Sequence, residues 1–342
     1  MNNKERKEIL FKIYSENFKF IKENSSLKDK FDKDFGCFCP ICLDYFEKAD
    51  LFDKINPLTI EHNPPQSLGG KSSVLTCKKC NSEAGHKIDD EILTALKEID
   101  TLNFKPNSEI KTQFFNDSTE GKGVNAKIKI QDDGQFIINI DTKNNNPKIH
   151  KKFFDSEVRE YKSPLFSNDI REIGWKKKLT FNFKKPNKTN ERLASISLLK
   201  IAHLMAFEKL GHLYLFNKNN QIIRDQIRSP EKEIITNPFW IKYNFPDNIV
   251  GVNIITKPRK LRSILVVFDL KTKSDSYRFS ICLPGLSVGD ENIYQNINDL
   301  LCQGNGFENA EVNNYINSEY NIKDVEKTFD LVRFWESFVE KQ

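Results

Sequence analysis

Long apolar runs are missing from this 342-residue chain. No stretch approaches the roughly 18 consecutive apolar residues that a membrane-spanning helix needs. The opening residues, MNNKERKEIL, are charged where a secretory leader would be apolar. Internal repeats and low-complexity tracts are absent too, which argues against a solenoid or an array. A strong net charge is also lacking: 53 Lys and Arg stand against 48 Asp and Glu, for +5. Mean hydropathy is −0.57, as for an ordinary soluble chain. The expected setting is cytoplasmic, without a membrane partner, where thiols stay reduced. A chain of this length buries enough apolar surface to fold without disulfides, so its seven cysteines call for another explanation.

The charge is unevenly spread. Residues 37–100 hold 7 Lys and Arg against 11 Asp and Glu, net −4, whereas residues 142–188 hold 13 against 5, net +8. If the partner is a polyanion, much of the grip must come from outside the acidic segment.

Hydrophobic periodicity sketches the elements. Residues 4–23 read as an amphipathic packing helix with Ile9, Leu10, Ile13, Phe18 and Ile21 near helical spacing. A second helix over 89–102 carries Ile92, Leu93, Leu96 and Ile99 on one face, behind an acidic first turn. AKIKIQDDGQFIINID alternates about Asp133-Gly134, a hairpin signal. Residues 151–161 suggest a short helix, and 175–185 a strand with a basic flank. Asn190 is placed to cap a long helix ending at Gly211 that is apolar nearly all round, hence the buried centre of a second domain. Strands are expected over 249–256, 263–270 and 276–283, and helices over 290–301 and 323–340. His203, inside the apolar helix, reads as a satisfied core residue, and His212, after Gly211, as a cap for helix carbonyls.

The chemistry is concentrated in two C-x2-C pairs, Cys39-Pro-Ile-Cys42 and Cys77-Lys-Lys-Cys80, with 34 residues between them. Four thiolates in two knuckles suit a tetrahedral structural Zn2+, and such a closed set leaves no position for substrate, so this zinc staples and does not catalyse. Cys37 is a spare thiol, either an alternate for Cys39 or a buried core residue; Cys282 and Cys302 read as core.

Between the knuckles and past the second runs LTIEHNPPQSLGGKSSVLTCKKCNSEAGHKID. Its succession of acidic residue–His, Pro, Gly-Gly, Leu, C-x2-C-Asn and Gly resembles the HNH endonuclease family in its zinc-knuckle form, over about 50 residues. The resemblance implies two strands, a loop and a helix around one divalent metal. It makes His62 the general base, Glu61 and Asn81 the ligands of the catalytic cation, and His86 a contact to metal or phosphate. Hard oxygen ligands favour Mg2+, with Mn2+ or Ni2+ as substitutes, over zinc. The segment departs from the family twice. Glu61 stands where Asp is usual, about 1.5 Å longer, and the middle Asn that orients the base would fall near Ser72, where there is no Asn.

The fold class expected is therefore α+β. Residues 1–36 form an N-terminal helix and connector, 37–103 a zinc-stapled ββα-metal (HNH) module, and 104–342 a larger mixed α+β domain for substrate binding, targeting or regulation. Lys176, Lys177, Lys178, Lys184, Lys185 and Lys188, with Trp175, Phe181 and Phe183 interleaved, form a candidate nucleic-acid grip; Arg259, Lys260 and Arg262 form a smaller one. The expected activity is phosphodiester hydrolysis in double-stranded DNA, in a bacterial restriction or phage-defence setting, with a regulatory protein or a second copy as further partner. Two other readings stay open: a zinc-stabilised nucleic-acid-binding module without catalysis, and a nuclease subunit active only within a larger complex.

Overall fold

A computed structural model of the chain describes residues 2–25, 27–28, 30–84, 88–115, 119–140, 142–157, 180–182, 189–235, 240–241, 245–302, 310–318, 322, 324, 327–328, 330–332 and 335. Helices and small antiparallel sheets alternate along it, an α+β architecture. The described chain forms two compact units. One comprises 1–95, 190–272 and 276–342, and the other comprises 96–189 and 273–275. This differs from the linear succession of domains read from sequence. The knuckle segment shares a core with the residues after 190, because the apolar helix there is covered by it on one side.

In the first unit, α1 (Asn3–Glu23) starts at a capping box: Asn2 Oδ1 accepts from the Glu5 amide and the Glu5 carboxylate accepts from the Asn2 amide. Its buried face is Phe11, Tyr14, Phe18 and Ile21. Ile9, placed on that face by the sequence reading, is 48% exposed; the bulky aromatics at helical spacing take the core instead. β1 (Cys37–Phe38) and β2 (Tyr45–Phe46) pair antiparallel across the first knuckle. Phe38 and Tyr45 from this ribbon meet Phe18 of α1 edge to face. β3 (Leu58–Asn63) and β4 (Lys71–Cys77) form an antiparallel hairpin that runs into α2 (Lys78–Ala84), and α3 (Asp90–Leu102) carries the chain into the second unit. The turn of the hairpin needs both its glycines. Gly69 sits at φ +88°, and a Cβ on Gly70 would land on the Pro64 carbonyl.

The second unit is a sheet of β5 (Glu109–Phe115), β6 (Val124–Ile130), β7 (Phe136–Asn139) and β8 (Thr180–Asn182), in the order β7-β6-β5-β8, with α4 (Pro147–Glu157). β5 and β6 alternate buried and exposed positions. Their inward residues Ile110, Phe114, Val124, Ala126, Ile128 and Ile130 pack with Phe153 of α4. The β6–β7 hairpin turns at Gly134, as its alternation required.

Back in the first unit, Asn190 caps α5 (Glu191–Leu210) through its bond from the Leu193 amide, and Gly211 ends it. α6 (His212–Leu215) and α7 (Gln221–Arg228) follow. Then comes an antiparallel sheet of β9 (Trp240–Ile241), β10 (Gly251–Lys257), β11 (Ser263–Lys271), β12 (Ser276–Pro284) and β13 (Glu311–Asn313), in the order β13-β10-β11-β12-β9, with α8 (Ile293–Cys302) and α9 (Tyr315–Ser318). α5 touches β10, β11 and β12 as well as β3 and β4. A helix apolar nearly all round is buried on every side, as its composition demands. The helix expected over 323–340 lies largely outside the described residues.

Two histidines are sealed in this core. His203 is satisfied on both nitrogens, as expected: Nε2 donates to the Pro40 carbonyl at 2.8 Å, so Nδ1 accepts from the Tyr214 hydroxyl at 2.7 Å. His212 does not cap carbonyls; its backbone amide and Nδ1 lie 2.8 and 3.1 Å from Asn17 Oδ1. Burial holds His203 down at about 4 and His212 at about 3. The unfolded chain titrates near pH 6.5, so below that pH it binds protons that the folded chain refuses. Stability from both residues is complete above about pH 6.5 and lost as pH falls toward 4 and 3. Thermal melts should show Tm descending from pH 6.5 to 4.5, with a flatter decline for His212→Phe; a level Tm across that window would contradict the assignment.

Candidate functional site

The four knuckle cysteines converge. Cys39 and Cys42 follow β1, Cys77 ends β4 and Cys80 lies in the first turn of α2, and their sulfurs all lie within 4.8 Å of one another. Cys42 and Cys77 sulfurs are 3.8 Å apart, the separation that tetrahedral Zn–S bonds of about 2.3 Å require. The Cys77 amide donates to Cys39 Sγ and the Cys80 amide to Cys77 Sγ. Sulfurs this close cannot hold like charge together unless a cation takes the protons' place. The donor set therefore fits a structural Zn2+. Cys37 lies outside the cluster and is buried as a core thiol, and that burial pushes its thiol up to about 12. Cys282 is buried as well. His203 reaches from α5 to Pro40 inside the first knuckle and fixes that turn to the core.

The β3–β4 hairpin carries the acidic residue and the histidine. Its register pairs Thr59 with Thr76 and Glu61 with Val74, then shifts by one so that His62 faces Ser72. That bulge re-aims the strand at the residues of interest. His62 is half-buried, and its Nε2 lies 2.8 Å from Ser72 Oγ. Glu61 is buried. Asn81, from α2, donates through Nδ2 to Thr59 Oγ1 at 3.0 Å; Thr59 Oγ1 donates to the Thr76 carbonyl, and Thr76 Oγ1 donates to Glu61 Oε2 at 3.3 Å. Thr59 and Glu61, two apart on one strand, share a face. Glu61 and Asn81 are therefore linked across the hairpin by one cross-strand threonine pair. Asn81 has Oδ1 as an oxygen ligand, and Glu61 Oε2 keeps lone pairs beyond its described contact with the Thr76 hydroxyl. Both are hard donors of the kind that Mg2+ or Mn2+ takes.

One partner of Glu61 was not read from the sequence. Lys200, on α5 and 2% exposed in its side chain, places Nζ 2.9 Å from Glu61 Oε1 and 2.7 Å from Asp89 Oδ2. Ser197 Oγ donates to the other Asp89 oxygen at 3.2 Å. Each carboxylate thus has one oxygen on the ammonium and the other on a hydroxyl. Burial would lower the Lys200 pKa, but Asp89 and Glu61 outweigh it and hold the ammonium above its usual range. Burial pushes the Glu61 carboxyl up, with Lys200 opposing and Asp89 adding to the rise. Asn63 ties the same strand to α5 by donating to the Ile201 carbonyl. The available signal was a lone lysine in LLKIAHLM: a charge on a helix apolar all round is buried, and a buried charge must be paired.

His86 lies outside the described residues. So do Trp175, Lys176, Lys177, Lys178, Phe183, Lys184, Lys185 and Lys188, and the side chain of Phe181. Arg262 does not belong to a surface patch: it is buried and its guanidinium is bound to Asp290 at 2.8 and 2.9 Å. An arginine interrupting an apolar strand border had an internal partner to find.

Among the described residues no helix is long and apolar enough to cross a membrane. No curated protein and no solved structure matches the chain. Residues 39–97, which span both knuckles, the β3–β4 hairpin, α2 and the start of α3, match the HNH endonuclease family.

Proposed function

We propose that this chain is a divalent-metal-dependent endonuclease that hydrolyses phosphodiester bonds in double-stranded DNA. His62 is its general base, and Glu61 and Asn81 are the oxygen ligands of one Mg2+, for which Mn2+ or Ni2+ can substitute. The observation that supports this most is the pairing of His62 with Ser72 on a hairpin whose neighbouring face joins Glu61 to Asn81, within the segment matched to the HNH endonuclease family.

A phosphodiester is anionic and its leaving 3′-oxygen is poor. A bound divalent cation neutralises the phosphate and stabilises that oxygen. The work of the chain is to present a base and to fix donors. In the tautomer suited to catalysis, His62 Nε2–H donates to Ser72 Oγ and Nδ1 keeps a lone pair for the proton of the attacking water. Ser72 does for the ring what an Asn does elsewhere in the family: it fixes which nitrogen is free. Glu61 is anchored by Lys200 through one oxygen and offers the other. His86 contacts the cation or the phosphate. The lysines from Lys176 to Lys188 supply backbone grip that the acidic motif segment lacks. A cytoplasmic restriction or phage-defence role, with a regulatory protein or a second copy as partner, belongs to the same proposal and rests on the joining of a nuclease module to a larger α+β region.

A second reading draws on the burial of Glu61 and its ion pair with Lys200: a zinc-stabilised module that binds nucleic acid without cutting it. Zinc-loaded protein is incubated with plasmid DNA and with RNA in Mg2+, Mn2+, Ni2+ or EDTA. Nicked or linear DNA in the metal lanes alone supports the endonuclease. Salt-sensitive binding with intact DNA in every lane supports the binding module. Cutting only after a neighbouring gene product is added points to a subunit of a larger complex.

A further inference from the structure

We propose that Lys200 is the positioning residue of the cation site, and that Asp89 serves to fix Lys200 and cancel its charge. This rests on the reading of Glu61 as a cation ligand and says how that ligand is held.

The argument is geometric. Glu61 is buried, and a carboxylate on its flexible two-methylene stem needs an anchor to keep one orientation. Lys200 Nζ grips Oε1 at 2.9 Å and leaves Oε2 on the side of Thr76, Thr59 and Asn81. An ammonium beside a cation ligand would ordinarily repel the cation. Here Asp89 lies 2.7 Å from the same nitrogen, so the Lys200–Asp89 pair is neutral and the group of three carries the single negative charge of Glu61 alone. The cation meets the charge of one carboxylate with the orientation of a clamped one. Ser197 holds Asp89 in turn, and both Ser197 and Lys200 come from α5, one turn apart. The ligand that the hairpin displays is thus aligned by a helix far away in sequence. Partners that orient a ligand in this way are commonly worth about 10–100-fold in metal affinity.

Removing Lys200 by itself would leave two unneutralised carboxylates and confuse position with charge. The informative variant is Lys200→Met with Asp89→Asn, which preserves the net charge and deletes the clamp. Mn2+ binding to the zinc-loaded full chain, without DNA, is followed by the electron paramagnetic resonance of free Mn2+. Glu61→Gln defines which binding belongs to this site. Expected is an affinity about 10–100-fold weaker in the double variant, with zinc content and far-UV circular dichroism as in the parent. Lys200→Arg, which keeps the charge and changes the reach, should weaken Mn2+ binding by less, and it carries the same test should the double variant not fold. Glu61-dependent binding that is equal or tighter in these variants overturns the proposal while leaving Glu61 a ligand. A parent that binds no Mn2+ in a Glu61-dependent manner overturns the ligand reading and this proposal with it.

Discussion

Replacing His62 by alanine is expected to lower plasmid cleavage by about 10²–10⁴-fold, the usual contribution of a positioned base, with zinc content and thermal stability unchanged. The side chain is half-buried and its described hydrogen bond runs to Ser72, so truncation removes the imidazole without opening the core. With His62 as the base proposed above, the effect should fall on kcat more than on KM. Ser72→Ala should cause a smaller loss of the same kind, since it releases the ring without removing it. Equal cleavage by His62→Ala and the parent would mean that another group takes the proton.

The second large effect concerns the zinc. Cys39, Cys42, Cys77 and Cys80 join the first knuckle, the end of β4 and the first turn of α2. The short ribbon β1–β2 and the hairpin β3–β4 have only two strands each among the described residues, and isolated two-stranded pairs are marginal in water. A closed four-thiolate site contributes on the order of 10 kcal/mol or more to folding, greater than the margin of most domains. Chelation, or Cys77→Ser, should therefore unfold the module. The expected signs are release of one zinc per chain, a large drop in Tm, and loss of nuclease activity that added Mg2+ does not recover. The rest of the first unit would be damaged as well, because His203 anchors Pro40 of the first knuckle to α5. Zinc-free protein that melts like the parent would contradict a stapling role.

Much of the site was legible because its chemistry forces local spacing. Two C-x2-C pairs are spaced as knuckles for a soft metal, and their four sulfurs lie within 4.8 Å of one another. The Gly-Gly pair marked a turn whose second glycine admits no side chain. Asn190 and Gly211 bounded α5 to the residue, since caps are read from single side chains. The resemblance put the place of the missing Asn near Ser72, in a loop before Val74, whereas Ser72 lies on β4.

What stayed illegible depends on contacts between distant segments. Nothing near Glu61 in sequence announces Lys200 or Asp89, which lie 139 and 28 positions away and meet it only once α5 packs on the hairpin. The division of the chain was hidden for the same reason. Residues 37–103 read as a self-contained module, but its part up to residue 95 shares one compact unit with the residues after 190, because a helix as apolar as α5 needs cover on the hairpin side. Ile9 was assigned to the core by period alone, whereas Phe11 and Tyr14 of the same helix hold the contacts.

The central claim is that one hard cation sits between Glu61 and Asn81, beside His62, while zinc sits among the cysteines. Anomalous diffraction distinguishes the two metals by their absorption edges in crystals of the zinc-loaded protein grown with Mn2+ and a DNA duplex. The account predicts a zinc peak enclosed by the four sulfurs, and a manganese peak within bonding distance of Glu61 Oε2 and Asn81 Oδ1, with the His62 ring nearby. Manganese found only elsewhere, with Glu61 still bound solely to Lys200 and Thr76, would contradict it.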